Sequence, residues 1–214
     1  MEYNAGNLEK HLTKNPLKKQ MVRKLNRKIV DSVGSYISSF ESKAPRILDA
    51  GCGEGFIDAL LVEKFTCVNI VGLEFTNEAI RIARQMNPSV EYIQGDIAQM
   101  PFQDNSFDIV ICTEVLEHLE KPESALKELI RVAKKFLFIT VPHEPWFCLG
   151  NLLVLKNVSR LGNPIDHINH WSKKSFQAFL QGEMEGWRVS GSFPWIIAEM
   201  SISPISSEPQ TLVE

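Results

Sequence analysis

Hydrophobic positions near the start of the chain recur every three or four residues from Leu17 to Ile37, the spacing of an amphipathic helix. Lysines and arginines fill many of the gaps between them. After Ala44 and Pro45 the pattern changes, and short runs rich in Ile and Val alternate with amphipathic stretches. Buried parallel strands joined by crossover helices have this pattern. The sequence therefore predicts one long N-terminal helix followed by an α/β domain.

Seven short apolar segments are the candidate strands of that domain. The last two are separated by Pro194 alone, which predicts an antiparallel end to the sheet. Between Pro142 and His170 lies a long apolar insertion, and insertions of that length are usually functional. The candidate strands are residues 46–50, 69–74, 90–94, 107–112, 136–141, 187–193 and 195–201.

Three parts of the chain are predicted from these changes of pattern. Residues 1–44 form an N-terminal helical cap, and residues 45–203 form the main domain. Within the main domain, residues 142–170 are the insertion on the substrate side. The Ser- and Pro-containing residues 204–214 are expected to be a flexible tail.

Composition narrows the class of protein. With 214 residues, 44% hydrophobic and 23% charged, the chain has the make-up of one folded domain. The longest stretch without Asp, Glu, Lys or Arg covers residues 145–155, short of the roughly 20 residues that a membrane-spanning helix needs. The N-terminus lacks a signal pattern and the four cysteines lack paired spacing, so we expect a reducing, cytoplasmic location.

Charge is distributed unevenly along the chain. The net charge is −3, but residues 1–40 hold eight Lys and Arg against Glu2, Glu9 and Asp31, which leaves +5 there and −8 in the rest. The first interpretation is the solvated face of an amphipathic helix. A second is contact with an anionic substrate, a membrane surface or nucleic acid.

A glycine-rich turn follows the first candidate strand, at residues 47–55. A dinucleotide-binding fingerprint would need glycine at the position of Phe56, so its spacing fails. Asp49 and Glu54 would repel a pyrophosphate but attract a cationic ligand such as S-adenosylmethionine, which has no phosphate. Glu74, at the end of the second strand, is placed to accept hydrogen bonds from ribose hydroxyls.

Further motifs follow the next strands in order. Asp-x-Gly-x-Gly-x-Gly occupies residues 49–55, and Gly-Asp-Ile occupies residues 95–97. The segment 100–110 leads into the fourth strand, and the segment 112–119 closes it. Over about residues 46–141 the chain resembles the class I S-adenosylmethionine-dependent methyltransferases. The resemblance implies a Rossmann-like fold, with a mostly parallel seven-stranded sheet, an antiparallel C-terminal strand and helices on both faces.

The resemblance also implies the cofactor and its contacts. The cofactor is S-adenosylmethionine, and the Asp96 side chain is expected to accept from the adenine amine, with the next backbone amide meeting the ring. The cofactor-binding residues implied by the motifs are Asp49, Gly51, Cys52, Gly53, Gly55, Glu74, Phe75, Asp96, Ile97 and Thr113.

Methyl transfer to a hydroxyl needs a base, and His118 is the first candidate for it, with His167 the second. We expect a small-molecule or lipid-precursor acceptor, methylated at oxygen or carbon, with no nucleic acid partner and no metal. The apolar insertion is compatible with core or dimer packing, with a lid over the acceptor or with an interfacial helix in peripheral membrane contact. The basic N-terminal helix is the other candidate for the lid.

Two alternatives stay open. Glu114, Glu117, His118 and His167 are similar to the metal-holding residues of metal-dependent small-RNA 2′-O-methyltransferases, which implies a divalent metal and an RNA acceptor. The other alternative is a non-catalytic protein that binds S-adenosylmethionine and transfers nothing.

Overall fold

The computed structural model describes residues 11–40, 44–153 and 157–202. A seven-stranded sheet lies at its centre, in the order β3-β2-β1-β4-β5-β7-β6. β7 runs antiparallel to β5 and β6, and the other pairs are parallel. The predicted fold class is therefore confirmed. The strands are β1 (Arg46–Ala50), β2 (Asn69–Glu74), β3 (Glu91–Gln94), β4 (Phe107–Thr113), β5 (Ala133–Pro142), β6 (Arg188–Ser192) and β7 (Trp195–Ser201).

Helices cover both faces of the sheet. Successive side chains of a strand point to opposite faces, so Ile47 packs with α1, α2 and α3, whereas Leu48 packs with α4 and α6. The α-helices of the described residues are α1 (Pro16–Ile37), α2 (Phe56–Lys64), α3 (Asn77–Met86), α4 (Pro122–Val132), α5 (Trp146–Leu153) and α6 (Lys173–Gln181).

The predicted N-terminal helix is confirmed as α1. Asn15 caps it by accepting a hydrogen bond from the Lys18 N–H at 3.1 Å, and Pro16 occupies the first turn. Its apolar face packs into the same core as the sheet, through Val22, Leu25, Ile29, Val30 and Val33. The division of the chain at residue 44 stays a prediction, and the predicted tail at 204–214 lies outside the described residues.

The parallel strands end at one edge of the sheet, where ligands bind in folds of this type. The turn into α2 follows β1, and a 3₁₀ helix at Leu116–His118 follows β4. In the insertion, α5 and a 3₁₀ helix at Val158–Arg160 come before Trp171, which forms a backbone bridge with His143. Within the described part of the chain, every helix is too short or too polar to cross a membrane.

Candidate active site

A cavity of about 1050 Å³ opens at the carboxyl edge of the sheet. The candidate bases His118 and His167 both line it. So do eight of the ten predicted cofactor-binding residues: Gly51, Cys52, Gly53, Glu74, Phe75, Asp96, Ile97 and Thr113.

The glycine turn has a backbone that excludes side chains. Gly51 has φ +81°, and a Cβ there would lie 2.5 Å from Cγ2 of Val115. Gly55 has φ +77° and begins α2, and a Cβ there would lie 2.6 Å from the Tyr92 hydroxyl. Glycine is the residue that tolerates both the left-handed backbone and the close approach. Gly55 itself supports the turn and does not line the cavity.

The Glu74 carboxylate holds the turn from the next strand. Its Oε2 accepts from the Gly53 N–H at 3.2 Å, and its Oε1 accepts from the Thr76 N–H and hydroxyl, both at 2.9 Å. A carboxylate has about four acceptor positions, so one stays available for a ligand hydroxyl. This geometry agrees with the ribose contact expected for Glu74, which stays a prediction.

The segment after β3 brings a carboxylate and an apolar side chain to the same cavity. Asp96 Oδ1 accepts from the Ala98 N–H at 2.8 Å, which closes a short turn and orients the carboxylate. Ile97 is buried beside it, while Phe75, after β2, is half exposed. The backbone carbonyl of Phe75 accepts from the Gln94 side chain at 3.0 Å, which joins the two loops.

Asp49 lies elsewhere than the sequence suggests. Asp49 is expected among the cofactor-binding residues, but its side chain is 1% exposed and is not among the cavity-lining residues. Strand alternation turns it under α2, where it lies close to the Asp58 carboxyl group. Burial, then the charge of Asp58, raises the pKa of Asp49 well above its usual range. A contribution of Asp49 to cofactor binding stays a prediction.

A buried chain of hydrogen bonds continues from this pair to the glycine turn. Tyr92 donates to Asp58 Oδ2 at 2.9 Å, and Asn87 donates both to the Tyr92 hydroxyl at 2.9 Å and to the Gly55 carbonyl at 2.8 Å. Burial raises the pKa of Asp58 to about 6. Sequence reasoning missed this network, although an acidic residue inside the apolar run of α2 is a signal for a buried polar contact.

His118 is held in one tautomer. Its Nδ1 lies 2.9 Å from the backbone carbonyl of Asp166, and a carbonyl only accepts, so Nδ1 carries the proton and Nε2 keeps its lone pair. Two carboxylates flank the ring: Asp166 Oδ2 is 3.5 Å from Nδ1, and Glu117 Oε1 is 4.0 Å from Nε2. The ring therefore presents the lone pair of Nε2, with a carboxylate oxygen near each of its two nitrogens.

His167 contacts His118 in the lining of the cavity. The two rings make an edge contact with centroids 5.0 Å apart, and His167 also stacks on Phe147 at 5.3 Å. The structure thus brings together both predicted bases, which are far apart in sequence.

Asn169 joins the segment that carries His167 to the 3₁₀ helix that carries His118. Its side-chain amide donates to the carbonyls of Leu116 at 3.0 Å and Leu119 at 2.7 Å. Its own N–H donates to the Glu117 carbonyl at 3.0 Å. Sequence reasoning missed Asn169, because its partners belong to a distant part of the chain.

The four predicted metal-binding residues divide into two groups. One ligand atom from each of Glu117, His118 and His167 can be chosen so that all three atoms lie within 4.8 Å of one another. Glu114 is not part of this cluster, and its Oε2 instead accepts a hydrogen bond from the Trp195 indole. The metal site stays a prediction, now for three residues.

Both segments that the sequence suggested as lids border the cavity. Leu25, Asn26 and Ile29 of α1 line one side, and residues 164–168 of the insertion line another. The cavity is therefore enclosed by α1 and the insertion together.

Residues 48–137 match the family model described as a methyltransferase domain. These residues therefore form a methyltransferase domain, and curated proteins that match the chain include a probable S-adenosylmethionine-dependent methyltransferase of Mycobacterium tuberculosis, 30% identical over 120 residues. The matched residues contain the glycine turn, the ends of β2 and β3, and the 3₁₀ helix with His118.

Two curated methyltransferases illustrate the sequence similarity. Demethylmenaquinone methyltransferase of Renibacterium salmoninarum is 30% identical over 128 residues, which are 58% of this chain and 48% of that enzyme. Sterol 24-C-methyltransferase of Aspergillus fumigatus is 37% identical over 95 residues, which are 42% of this chain and 25% of that enzyme. The chain spans about half the length of the first relative and a quarter of the second.

Solved methyltransferase structures have the same fold over most of the chain. The magnesium protoporphyrin IX methyltransferase of Synechocystis, determined with bound SAH, has a TM-score of 0.63 at 20% identity and covers 88% of both chains. A SAM-dependent methyltransferase of Aquifex aeolicus has a TM-score of 0.63 at 17% identity and covers 94% of this chain and 100% of the other. At these identities the similarity concerns the fold.

Proposed function

We propose that this protein transfers a methyl group from S-adenosylmethionine to oxygen or carbon of a small-molecule or lipid-like acceptor. One observation carries the proposal: eight of the ten predicted cofactor-binding residues and the pair His118 and His167 line the same cavity. Its volume of about 1050 Å³ is at the upper end of the roughly 300–1,000 Å³ typical of pockets for one ligand. Cofactor and acceptor can therefore be held side by side.

The cofactor would occupy the end of the cavity at the glycine turn. There Glu74 has one acceptor position left for the ribose hydroxyls, and Asp96 would accept from the adenine amine. Glu54 and Glu74 both line that end of the cavity and would repel a phosphate. S-adenosylmethionine carries no phosphate and therefore suits it. Asp49 would act as a positioning residue, through Asp58 and the network under the turn.

The proton of the acceptor hydroxyl would pass to Nε2 of His118. As the oxygen attacks the methyl carbon, the carbon–sulfur bond breaks and its electron pair stays on sulfur, leaving the neutral thioether. The imidazolium that forms is stabilised by Asp166 and Glu117, at 3.5 and 4.0 Å. Positioning of the acceptor and exclusion of water would supply most of the remaining acceleration.

The cofactor step is tested by calorimetric titration with S-adenosylmethionine and with S-adenosylhomocysteine. We expect both to bind in the micromolar range, and Glu74→Ala to weaken both at least tenfold through lost charged hydrogen bonds. Met86→Ala, a change at an exposed side chain of α3, is the control. Failure of both ligands to bind the wild-type protein would overturn the proposal.

The role of His118 is tested by comparing turnover with cofactor affinity, using catechol and a reduced demethylmenaquinone analogue as first acceptors. His118→Ala should lower turnover by about 10²–10⁴-fold and leave the dissociation constant of S-adenosylmethionine within twofold. Equal losses in turnover and affinity would contradict a base. Cofactor binding with no transfer to any acceptor would instead support the non-catalytic alternative.

A second candidate function is metal-assisted transfer to an RNA 2′-hydroxyl. It is favoured by the cluster of Glu117, His118 and His167, whose carboxylate and imidazoles suit Mn²⁺ or another divalent ion. Such an ion would orient and polarise the acceptor oxygen. Repeating the titrations with MnCl₂ and with EDTA tests the site, and the salt dependence of RNA binding tests the acceptor.

A further inference from the structure

Exposed apolar side chains are concentrated beside the mouth of the cavity. Of the 13 large hydrophobic side chains that are exposed among the described residues, eight belong to residues 146–168 or to the turn before β7. We call these eight the apolar rim: Trp146, Leu149, Leu153, Val158, Leu161, Ile165, Ile168 and Phe193. A contiguous exposed apolar surface of this kind marks an interaction site.

The helix at the centre of the rim contacts the core through Phe147, which is half-buried, and leaves Trp146, Leu149 and Leu153 exposed. α5 contains no charged residue, and none of its residues is buried. A surface helix of a soluble domain normally buries one apolar stripe and exposes a polar one. The apolar surface of α5 is therefore available to another partner.

Contacts join parts of the rim to each other, and two of its residues reach the cavity. Trp146 contacts Phe193 with ring centroids 6.5 Å apart, and Asn151 of α5 donates to the Gly162 carbonyl at 2.8 Å. Ile165 and Ile168 belong both to the rim and to the cavity lining. A molecule dissolved in an apolar phase on the rim would enter the cavity without crossing water.

The rim segment contains few acidic residues. Residues 145–165 contain no Asp or Glu and include Arg160, while Glu144 and Asp166 flank this stretch. Lys28 of α1 donates to the Gly191 carbonyl at 2.9 Å, two residues from Phe193.

Exposed basic side chains of α1 lie on the same side of the helix as a cavity-lining residue. Lys19 and Arg23 precede the cavity-lining Asn26 by two turns and one turn on the same side of the helix. Apolar side chains, an exposed tryptophan and flanking cations together suit a bilayer interface with anionic headgroups.

We propose that the apolar rim docks the protein onto the surface of an anionic lipid bilayer, with the mouth of the cavity facing the lipid. The apolar side chains enter the interface, and the basic residues of α1 contact the headgroups. This inference does not depend on methyl transfer, because vesicle binding is measured without cofactor or acceptor.

The experiment uses the purified protein with vesicles of phosphatidylcholine alone and of phosphatidylcholine with an equal amount of phosphatidylglycerol. We expect co-sedimentation with the mixed vesicles, weakened by high salt, and little with phosphatidylcholine alone. Tryptophan emission gives a second readout, because Trp146 is 46% exposed while Trp171, Trp187 and Trp195 are at most 8% exposed. Its emission should shift to the blue on binding, and Trp146→Phe should remove the shift.

Two substitutions test the surface. Leu153→Glu and Leu161→Glu change side chains that are each 78% exposed, so neither should disturb folding, and each should weaken vesicle binding about tenfold or more. Met86→Glu, at an exposed apolar side chain outside the rim, is the matched control and should bind as the wild type does.

Several results would overturn the proposal. One is the absence of binding to the mixed vesicles, and another is equal binding by all three variants. A third is a protein that does not bind vesicles and that light scattering finds to be a dimer, with Leu153→Glu monomeric. That result would assign the rim to contact with a second copy of the chain. Failure of cofactor titration would leave the vesicle result unaffected and would count only against methyl transfer.

Discussion

At the glycine turn the backbone is held by buried groups, with Asp58, Tyr92 and Asn87 linked under Gly55. At the opposite end of the cavity, α5 and the turn at 158–160 carry no buried residue at all. Under the proposed function the first region would hold the cofactor, and its geometry depends on the core. The second presents an apolar surface whose details can change without loss of the fold. The cavity therefore combines a rigid end at the glycine turn with an adaptable end at α5 and the turn at 158–160.

The largest expected effect comes from Gly51→Ala, at the rigid end. The left-handed backbone and the contact with Val115 both disfavour a Cβ, so the free energy of unfolding should fall by about 3 kcal/mol. Chemical denaturation measures it, and cofactor affinity should fall in parallel.

A matched change at the adaptable end sharpens the same test. Gly162 also has a positive φ, and a Cβ there would lie 2.0 Å from the Cys148 carbonyl oxygen. Because α5 has no fully buried residue, Gly162→Ala should shift the insertion locally and lower the free energy of unfolding by about 1–2 kcal/mol, less than Gly51→Ala. Equal losses for the two substitutions would contradict the comparison.

The next effect is a pH dependence that originates at the rigid end. Burial raises the pKa of Asp58 from 3.8 to about 6, so the folded state holds this proton more tightly than the unfolded state. The resulting stabilisation is complete below the ordinary pKa and is lost as the pH rises to about 6, a decrease of about 3 kcal/mol.

Asp58→Asn keeps an acceptor for Tyr92 and removes the titration. Unfolding free energies measured from pH 4 to 8 in both proteins should therefore diverge, with the wild type losing stability relative to the variant as pH rises. Parallel curves would mean that Asp58 titrates normally.

A smaller effect is expected at Asn169, which joins the segment that carries His167 to the 3₁₀ helix that carries His118. Asn169→Ala removes two hydrogen bonds to the carbonyls of Leu116 and Leu119. Turnover should fall about tenfold while cofactor affinity is unchanged, because His167 loses its position relative to His118. Asn163→Ala, which removes an exposed contact to His170, serves as the control. A loss of cofactor affinity would place Asn169 at the rigid end instead.

The smallest effect is expected within α5. A Cβ at Gly150 would meet nothing within 4 Å, so Gly150→Ala should leave the protein unchanged or stabilise it by up to about 1 kcal/mol through helix propensity. Thermal unfolding measures this, and a clear destabilisation would mean that α5 packs more tightly than the structure describes.

Much of the fold was predictable from local pattern. β1, β2 and β7 have the predicted bounds, because continuous apolar runs between turn residues are typical of strands buried on both faces. The position of eight predicted cofactor-binding residues in the cavity lining was also predictable. Each of them ends or follows a strand, and parallel strands end at one edge of the sheet. The direction of the Asp49 side chain was not predictable, because it depends on which face of β1 receives α2. The exposure of α5 was not predictable either, since an apolar segment equally favours core packing.

The order of strands and helices and the glycine turn were predictable from the sequence alone. So were the kind of ligand that the residues beside the turn would suit and the resemblance to methyltransferases. These features depend on short-range spacing and on backbone conformations that particular residues permit. The tertiary structure alone decided the meeting of His118 with His167, the Asn169 contacts and the chain from Asp49 to Gly55. Each joins residues from separate elements, and their distances depend on how the helices and loops pack around the sheet.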